Sequence, residues 1–334
     1  MTYKGIKNHI TVFGTTSSGK STLVNALIGG ELLPSAVQEM TTAPTTISHH
    51  PRRRVLTIIG LEKEPVTKSL AACEGGLTSD ALRNTLHKVF YDSDSTDCRQ
   101  DIHLKIEWPL GLANDLLEPQ LSAEGLQIVD MPGLKYVGDD KNTRTIPDDS
   151  SVIVIVFGAD HTDPRRQQTL LQSVLTQNPD LESIIFVLNK VDILLSDRDP
   201  TATLSRLRRN LYKSICTAIL EYYPHTTLSQ ESIDLVEVAA RPALHARIAN
   251  KHATPTGLFK RLWSQLFDKT NEQIQIDSID RLLREHRWLI DHKTLGSLPR
   301  AIKDWPHEPR VDLANSIEEY SNIHALESAI AHRI

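Results

Sequence analysis

The sequence predicts an α/β fold, a doubly wound, mostly parallel sheet flanked by helices. Three observations predict it. Short apolar runs alternate with helical patterns along the chain. Several runs have the near-continuous apolar character of strands buried on both faces. A glycine-bearing loop, Gly14-Thr-Thr-Ser-Ser-Gly19-Lys20-Ser21, joins the first run to the first helical pattern. The expected strands are Ile6–Phe13, Thr45–His49, Val55–Gly60, Ile102–Trp108, Leu126–Asp130, Val152–Phe157, Ile184–Leu188 and Leu235–Val238. Helices are expected over Thr22–Ile28, Ser79–Phe90, Pro164–Gln177 and Thr203–Tyr222.

The loop matches G-x-x-x-x-G-K-[ST] in the strand–loop–helix setting that motif requires, which makes the fold a P-loop NTPase. Gly14 and Gly19 let the backbone curl so that the amides of Thr15, Thr16, Ser17 and Ser18 face a β-phosphate, and the helix that follows adds its positive end. Lys20 is placed to bridge β- and γ-phosphates, and the Ser21 hydroxyl to ligate Mg²⁺, with Thr22 completing the contacting stretch.

Two further motifs follow strands. In Ile128-Val-Asp130-Met-Pro-Gly133, Asp130 can hold Mg²⁺ through water and the Gly133 amide can bond the γ-phosphate. In Asn189-Lys190-Val191-Asp192, the Asp192 carboxylate can accept from guanine N1–H and the 2-amino group together, a pair that adenine lacks. Asn189 braces that site and the Lys190 stem packs on the base. The expected nucleotide is therefore GTP/GDP. Ala239-Ala240, after the last strand, is the expected backbone contact to guanine O6, although a plain strand end reads the same way.

Composition bounds the rest. At 334 residues the chain exceeds a usual domain, yet large α/β domains with insertions reach this size. A net charge of −5 argues against nucleic acid as a partner. Three cysteines, at 73, 98 and 216, have neither pairing nor metal spacing, which fits a reducing, cytoplasmic setting. The fourteen histidines form no ligand set and read as surface residues. No run reaches the ~18 apolar residues of a membrane span.

Together the motifs resemble those of regulatory GTPases, and their surroundings resemble the dynamin superfamily, the bacterial dynamin-like proteins in particular. Asn25-Ala-Leu-Ile-Gly-Gly-Glu-Leu-Leu-Pro34 is similar to the family's N-x-L-x-G-x-x-x-L-P, and Met40-Thr41-Thr42-Ala43-Pro44-Thr45 to its first switch. Ile102–Pro109 followed by Leu126–Gly133 resembles the paired strands leading into its D-x-P-G. The resemblance implies that Thr41, with Thr42 as the alternative, touches Mg²⁺ and the attacking water. It implies that Ser17 helps place a monovalent cation, K⁺ or Na⁺, whose charge does the work of an arginine finger. Thr16 departs from the eukaryotic dynamins, which put a water-orienting glutamine there.

The segment Tyr320–Ile334 resembles the S-G-I-x-x-L-E-x-x-I element of the family's last G-domain helix, with Asn322 in the glycine's place. On that reading the whole chain, 1–334, is one G domain, with 243–319 a mainly helical insertion before a last helix over 321–334. Leu258–Phe267 and Ile279–Ile290 are its expected amphipathic helices. The family's membrane remodellers carry a helical stalk that is not evident here, so the expected partners are a second copy of the chain or a stalk-bearing protein. Membrane association would then be indirect. Two functions stay open: a GTPase activated by G-domain dimerisation, or a nucleotide-dependent switch with negligible hydrolysis.

Overall fold

Alternate side chains of the run Ser150–Gly158 enter two different cores: Val152, Val154 and Val156 pack on one face of a sheet, Ile153, Ile155 and Phe157 on the other. A strand has period two, so a run that is apolar at every position needs cover on both faces. The computed structural model shows how that cover is built; it describes residues 8–33, 44–50, 55–60, 63–69, 102–110, 125–133, 146–147, 150–160, 163–177, 179–226, 233–251, 270–285, 302, 305 and 307–334.

Strands β1 (His9–Gly14), β2 (Thr45–His49), β3 (Val55–Gly60), β4 (Lys63–Ser69), β5 (Ile102–Trp108), β6 (Gln127–Asp130), β7 (Ser150–Gly158), β8 (Ile184–Asn189) and β9 (Leu235–Val238) form one sheet, in the order β4-β3-β5-β2-β6-β1-β7-β8-β9. The run β6-β1-β7-β8-β9 is parallel throughout. β2 is parallel to β5 and antiparallel to β6, while β3 is antiparallel to both β4 and β5. The helices are α1 (Lys20–Ile28), α2 (Pro164–Leu175), α3 (Pro200–Tyr222), α4 (Ala240–Lys251), α5 (Thr270–Glu285), α6 (His307–Tyr320) and α7 (Ile323–Ala331). α1, α4 and α7 cover one face of the sheet, and α2 with α3 the other. α5 and α6 pack on α4 instead, around Ala246, Ala249, Ile279, Leu282, Trp305, Ala314 and Ile317.

The structure departs from the expected elements in places with a physical reason. β4 is not among the strands expected from the sequence, and it carries Lys63, Glu64 and Pro65. It is the outermost strand, where charges and a proline are tolerated and discourage further pairing. α3 begins at Pro200, not Thr203, since Asp199 accepts from Ala202 N–H at 3.0 Å and caps it. The same Asp-Pro device starts α2, where Asp163 accepts from Arg165 N–H at 3.0 Å. α5 starts at Thr270, nine residues before the amphipathic pattern recognised in the sequence. Residues 6–7, the expected helices Ser79–Phe90 and Leu258–Phe267, and positions 286–290 lie outside the described residues.

Two family-like elements acquire a cause. Asn25 is fully buried; its Nδ2 donates to Leu33 O at 2.7 Å, and its Oδ1 accepts from Leu32 and Leu33 N–H at 3.0 and 2.7 Å. One amide thus holds the whole turn after α1. Asn322, between α6 and α7, has φ 57°, and its Nδ2 donates to Glu237 O at 2.9 Å. A glycine suits that left-handed position and asparagine tolerates it. Asn322→Val should therefore lower stability by about 1–2 kcal/mol, and Asn322→Gly by less. Urea unfolding midpoints check the order, and equal midpoints for both variants would contradict it.

Candidate nucleotide site

The five consecutive parallel strands β6-β1-β7-β8-β9 end on one edge, and the described residues singled out by motif gather there. Gly14 closes β1, Asp130 closes β6, Asn189 closes β8 and Ala239 follows β9. Ligands of open α/β sheets bind beyond the carboxyl ends of such strands.

The phosphate loop is curled by left-handed backbone at Ser17 (φ 63°) and Gly19 (φ 86°), and by Ser18 N–H donating to Thr15 O at 3.2 Å. Such turns aim successive amides into a concavity that attracts anions. Lys20, buried at the start of α1, folds back with Nζ 3.0 Å from Thr15 O. Thr22 lies two residues further along the helix's first turn. Gly133 comes close against this loop: a Cβ there would stand 3.0 Å from Thr16 Cα and 3.1 Å from Lys20 Nζ. Only a residue without a side chain lets the segment after β6 approach so closely.

Ser21 Oγ donates to Asp130 Oδ2 at 2.9 Å, and Asp130 is fully buried. A hydroxyl beside a carboxylate at a helix start is an all-oxygen donor set, which fits a hard dication such as Mg²⁺. Thr41 and its alternative Thr42 lie outside the described residues.

Asn189 links the phosphate loop to the loop after β9. Buried, it donates from Nδ2 to Ser18 O at 3.1 Å and accepts at Oδ1 from Ala240 N–H at 3.1 Å. Lys190, at φ 65°, donates from Nζ to Ser17 O at 2.6 Å and pairs with Asp160 at 2.5 Å. Asp192 follows in the 3₁₀ turn Val191–Ser196 and is buried. Burial pushes its carboxyl above the usual carboxylate range, against the pull of a backbone hydrogen bond and of Arg241 and Lys190. Ala239 and Ala240 are buried, and the Ala239 N–H donates to Ser321 O at 2.9 Å.

Motif reading did not foresee three contributors. Asp160 holds Lys190 in place; its signal was its position two residues beyond the end of a buried strand. Ser321 and Asn322 hold Ala239 and Glu237 from far along the chain, and no local pattern joins them.

Comparison with known proteins identifies the family. The family model described as the dynamin family matches residues 10–191. A protein from Caldicellulosiruptor, known only as an uncharacterized protein of the xynA 3′ region, is 23% identical over 267 residues, 79% of this chain and 56% of its own length. The isoniazid-induced protein IniC of Mycobacterium tuberculosis is 31% identical over 140 residues, 41% of this chain and 23% of that protein. The bacterial dynamin-like protein of Nostoc punctiforme is 30% identical over 130 residues, 37% of this chain and 16% of its own. A solved chain from an oligomerised bacterial dynamin pair aligns over 97% of this chain and 44% of its own, at 18% identity and a TM-score of 0.45. The chain thus spans about half, or less, of the length of these relatives. Among the described residues, no helix is long and apolar enough to cross a membrane. The family match runs through more than half of the sequence and takes in the phosphate loop, the Asp130–Gly133 segment and Asn189: the chain belongs to the dynamin family, and what folds here is a dynamin-family GTPase domain.

Proposed function

We propose that this chain binds GTP and hydrolyses it to GDP and phosphate in a Mg²⁺-dependent reaction stimulated by pairing of two G domains across the nucleotide face. The observation that carries the reading is the Asn189 side chain, which ties the loop that would hold phosphate to the loops that would hold guanine. Lys20 neutralises charge between the β- and γ-phosphates. Ser21, with Asp130 through water and with Thr41, would hold Mg²⁺, which would supply positive charge against the charge developing on the phosphates. Thr41 and the Gly133 amide would hold the attacking water, and Ser17 would help hold a K⁺ or Na⁺ that supplies further compensating charge. Asp192 accepts two bonds from guanine. Because the Ala240 N–H is engaged by Asn189, the donor that best fits guanine O6 is the next first-turn amide of α4, that of Arg241, which has no intrahelical acceptor.

Asp192 gives the test of nucleotide identity. Asp192→Asn should weaken GDP binding at least about a hundredfold and improve binding of xanthosine diphosphate, whose 2-oxo group accepts where guanine donates. Wild-type affinity for GDP should also fall as pH is lowered through the raised Asp192 value, since the protonated acid loses one acceptor. Calorimetric titration against GDP, xanthosine diphosphate and ADP reads all three; ADP binding as tightly as GDP would sink the assignment. Pairing of G domains is tested by turnover per molecule, which should rise with protein concentration. A flat dependence would remove the dimer from the mechanism.

Thr16 favours a second reading, a switch that binds nucleotide without turning it over. Its short hydroxyl stands where the eukaryotic dynamins' glutamine orients water.

A further inference from the structure

We infer that Tyr320 is a nucleoside-contacting residue whose ring covers the guanosine held by the Asn189–Asp192 and Ala239–Arg241 loops; the inference rests on the nucleotide reading above. Tyr320 ends α6, far along the chain from the phosphate and guanine loops, yet it is brought to the pocket by the junction that follows it. Ser321 O accepts from Ala239 N–H at 2.9 Å, and Asn322 Nδ2 donates to Glu237 O at 2.9 Å. Through Ala240 N–H and Asn189 Oδ1, 3.1 Å apart, the same loop is tied to the residue bracing the base. The backbone of Tyr320 is therefore fixed next to the guanine loop.

Burial first, and then the Asp192 carboxylate, push the Tyr320 phenol above the ordinary tyrosine range, which agrees with that placement of its backbone. The residue nevertheless stays 45% exposed, one of two large apolar residues so exposed among the described residues. An aromatic left open beside a pocket that takes a flat heterocycle has a surface the ligand can bury. The hydrophobic cores already account for the rest of α6, through Ala314 and Ile317. Asp192 supplies discrimination between bases, whereas a ring face supplies affinity for any purine.

That difference sets the experiment: calorimetric titration of wild type, Tyr320→Ala, Tyr320→Phe and Asp192→Asn with GDP and inosine diphosphate, which lacks the 2-amino group. Tyr320→Ala should weaken both nucleotides by roughly tenfold while leaving their ratio unchanged. Tyr320→Phe should stay within about threefold of wild type, and Asp192→Asn should collapse the ratio. The melting temperature without nucleotide should not move in Tyr320→Ala. Unaltered GDP affinity in Tyr320→Ala, or a loss matched by a fall in that melting temperature, overturns the contact. Failure of the wild type to bind any guanine nucleotide would overturn the parent reading and this one with it, and is distinguishable from either result.

Discussion

Lys20→Ala should abolish phosphate release in a single-turnover GTP assay, with a loss of roughly a thousandfold or more. Lys20 opens α1, its side chain is buried, and its Nζ folds over the loop to within 3.0 Å of Thr15 O. A Cβ on Gly133 would approach the same ammonium to 3.1 Å, so both arms of the site converge on it. Lys20 is 6% exposed, and fixed charges aimed at a developing oxyanion act most strongly where water is excluded. In the loose transition state of phosphoryl transfer, charge spreads over the non-bridging oxygens, and the lysine's interaction strengthens as it does. The alanine variant should still fold, since Lys20 belongs to no core cluster; its melting temperature without nucleotide should stay close to wild type. The experiment also separates the two functional readings. A hydrolase loses its release with the lysine, whereas a pure switch shows none in either protein. Lys20-independent release would point to a contaminating activity and sink the enzyme.

How much of this was legible in the sequence depends on whether the determinant is local. β7 and β8 were legible because burial on both faces demands an unbroken apolar run, and few other elements write one. The phosphate loop was legible because backbone geometry at Gly14 and Gly19 restricts the residue type, so the pattern survives as letters. α4 was not legible: Ala240-Arg-Pro242 reads as a loop, since proline is taken as a breaker. In the structure Pro242 falls in the first turn, where its missing N–H would have had no intrahelical partner anyway. The anchoring of the guanine loop was also hidden, because Ser321 meets Ala239 across more than eighty residues. Glu327 was visible only as a letter of a family-like element. Its reason lies in Arg247, which no local pattern connects to it.

That pair carries the largest expected effect on stability. Glu327 is fully buried, and Arg247 is 9% exposed. The guanidinium donates from Nη1 to Glu327 Oε1 at 2.6 Å and to Ala26 O at 2.8 Å, and from Nε to Glu318 Oε1 at 2.8 Å. His324 Nδ1 stands 3.0 Å from the other Glu327 oxygen. One arginine on α4 therefore clamps the end of α1, the end of α6 and the middle of α7. Removing Arg247 leaves the fully buried Glu327 without its arginine, so Arg247→Ala should destabilise by about 3–5 kcal/mol; Glu327→Ala should cost less, because the guanidinium keeps Glu318 at 2.8 Å. Replacing both together by apolar residues, Arg247→Met with Glu327→Leu, removes the buried carboxylate with its arginine and leaves the partly exposed Glu318 to Asn250, so it should recover part of the Arg247→Ala loss. Urea unfolding of the two singles and the double completes the cycle, and strictly additive effects would show that the two side chains do not act as a unit. The consequence reaches the nucleotide edge. α1 begins at Lys20 and Ser21, and α7 follows the Ser321–Asn322 junction that holds the guanine loop. A clamp on both helices keeps the phosphate and guanine halves in one register, so the single variants should bind GDP more weakly even below their unfolding midpoints, and the double should regain affinity along with stability.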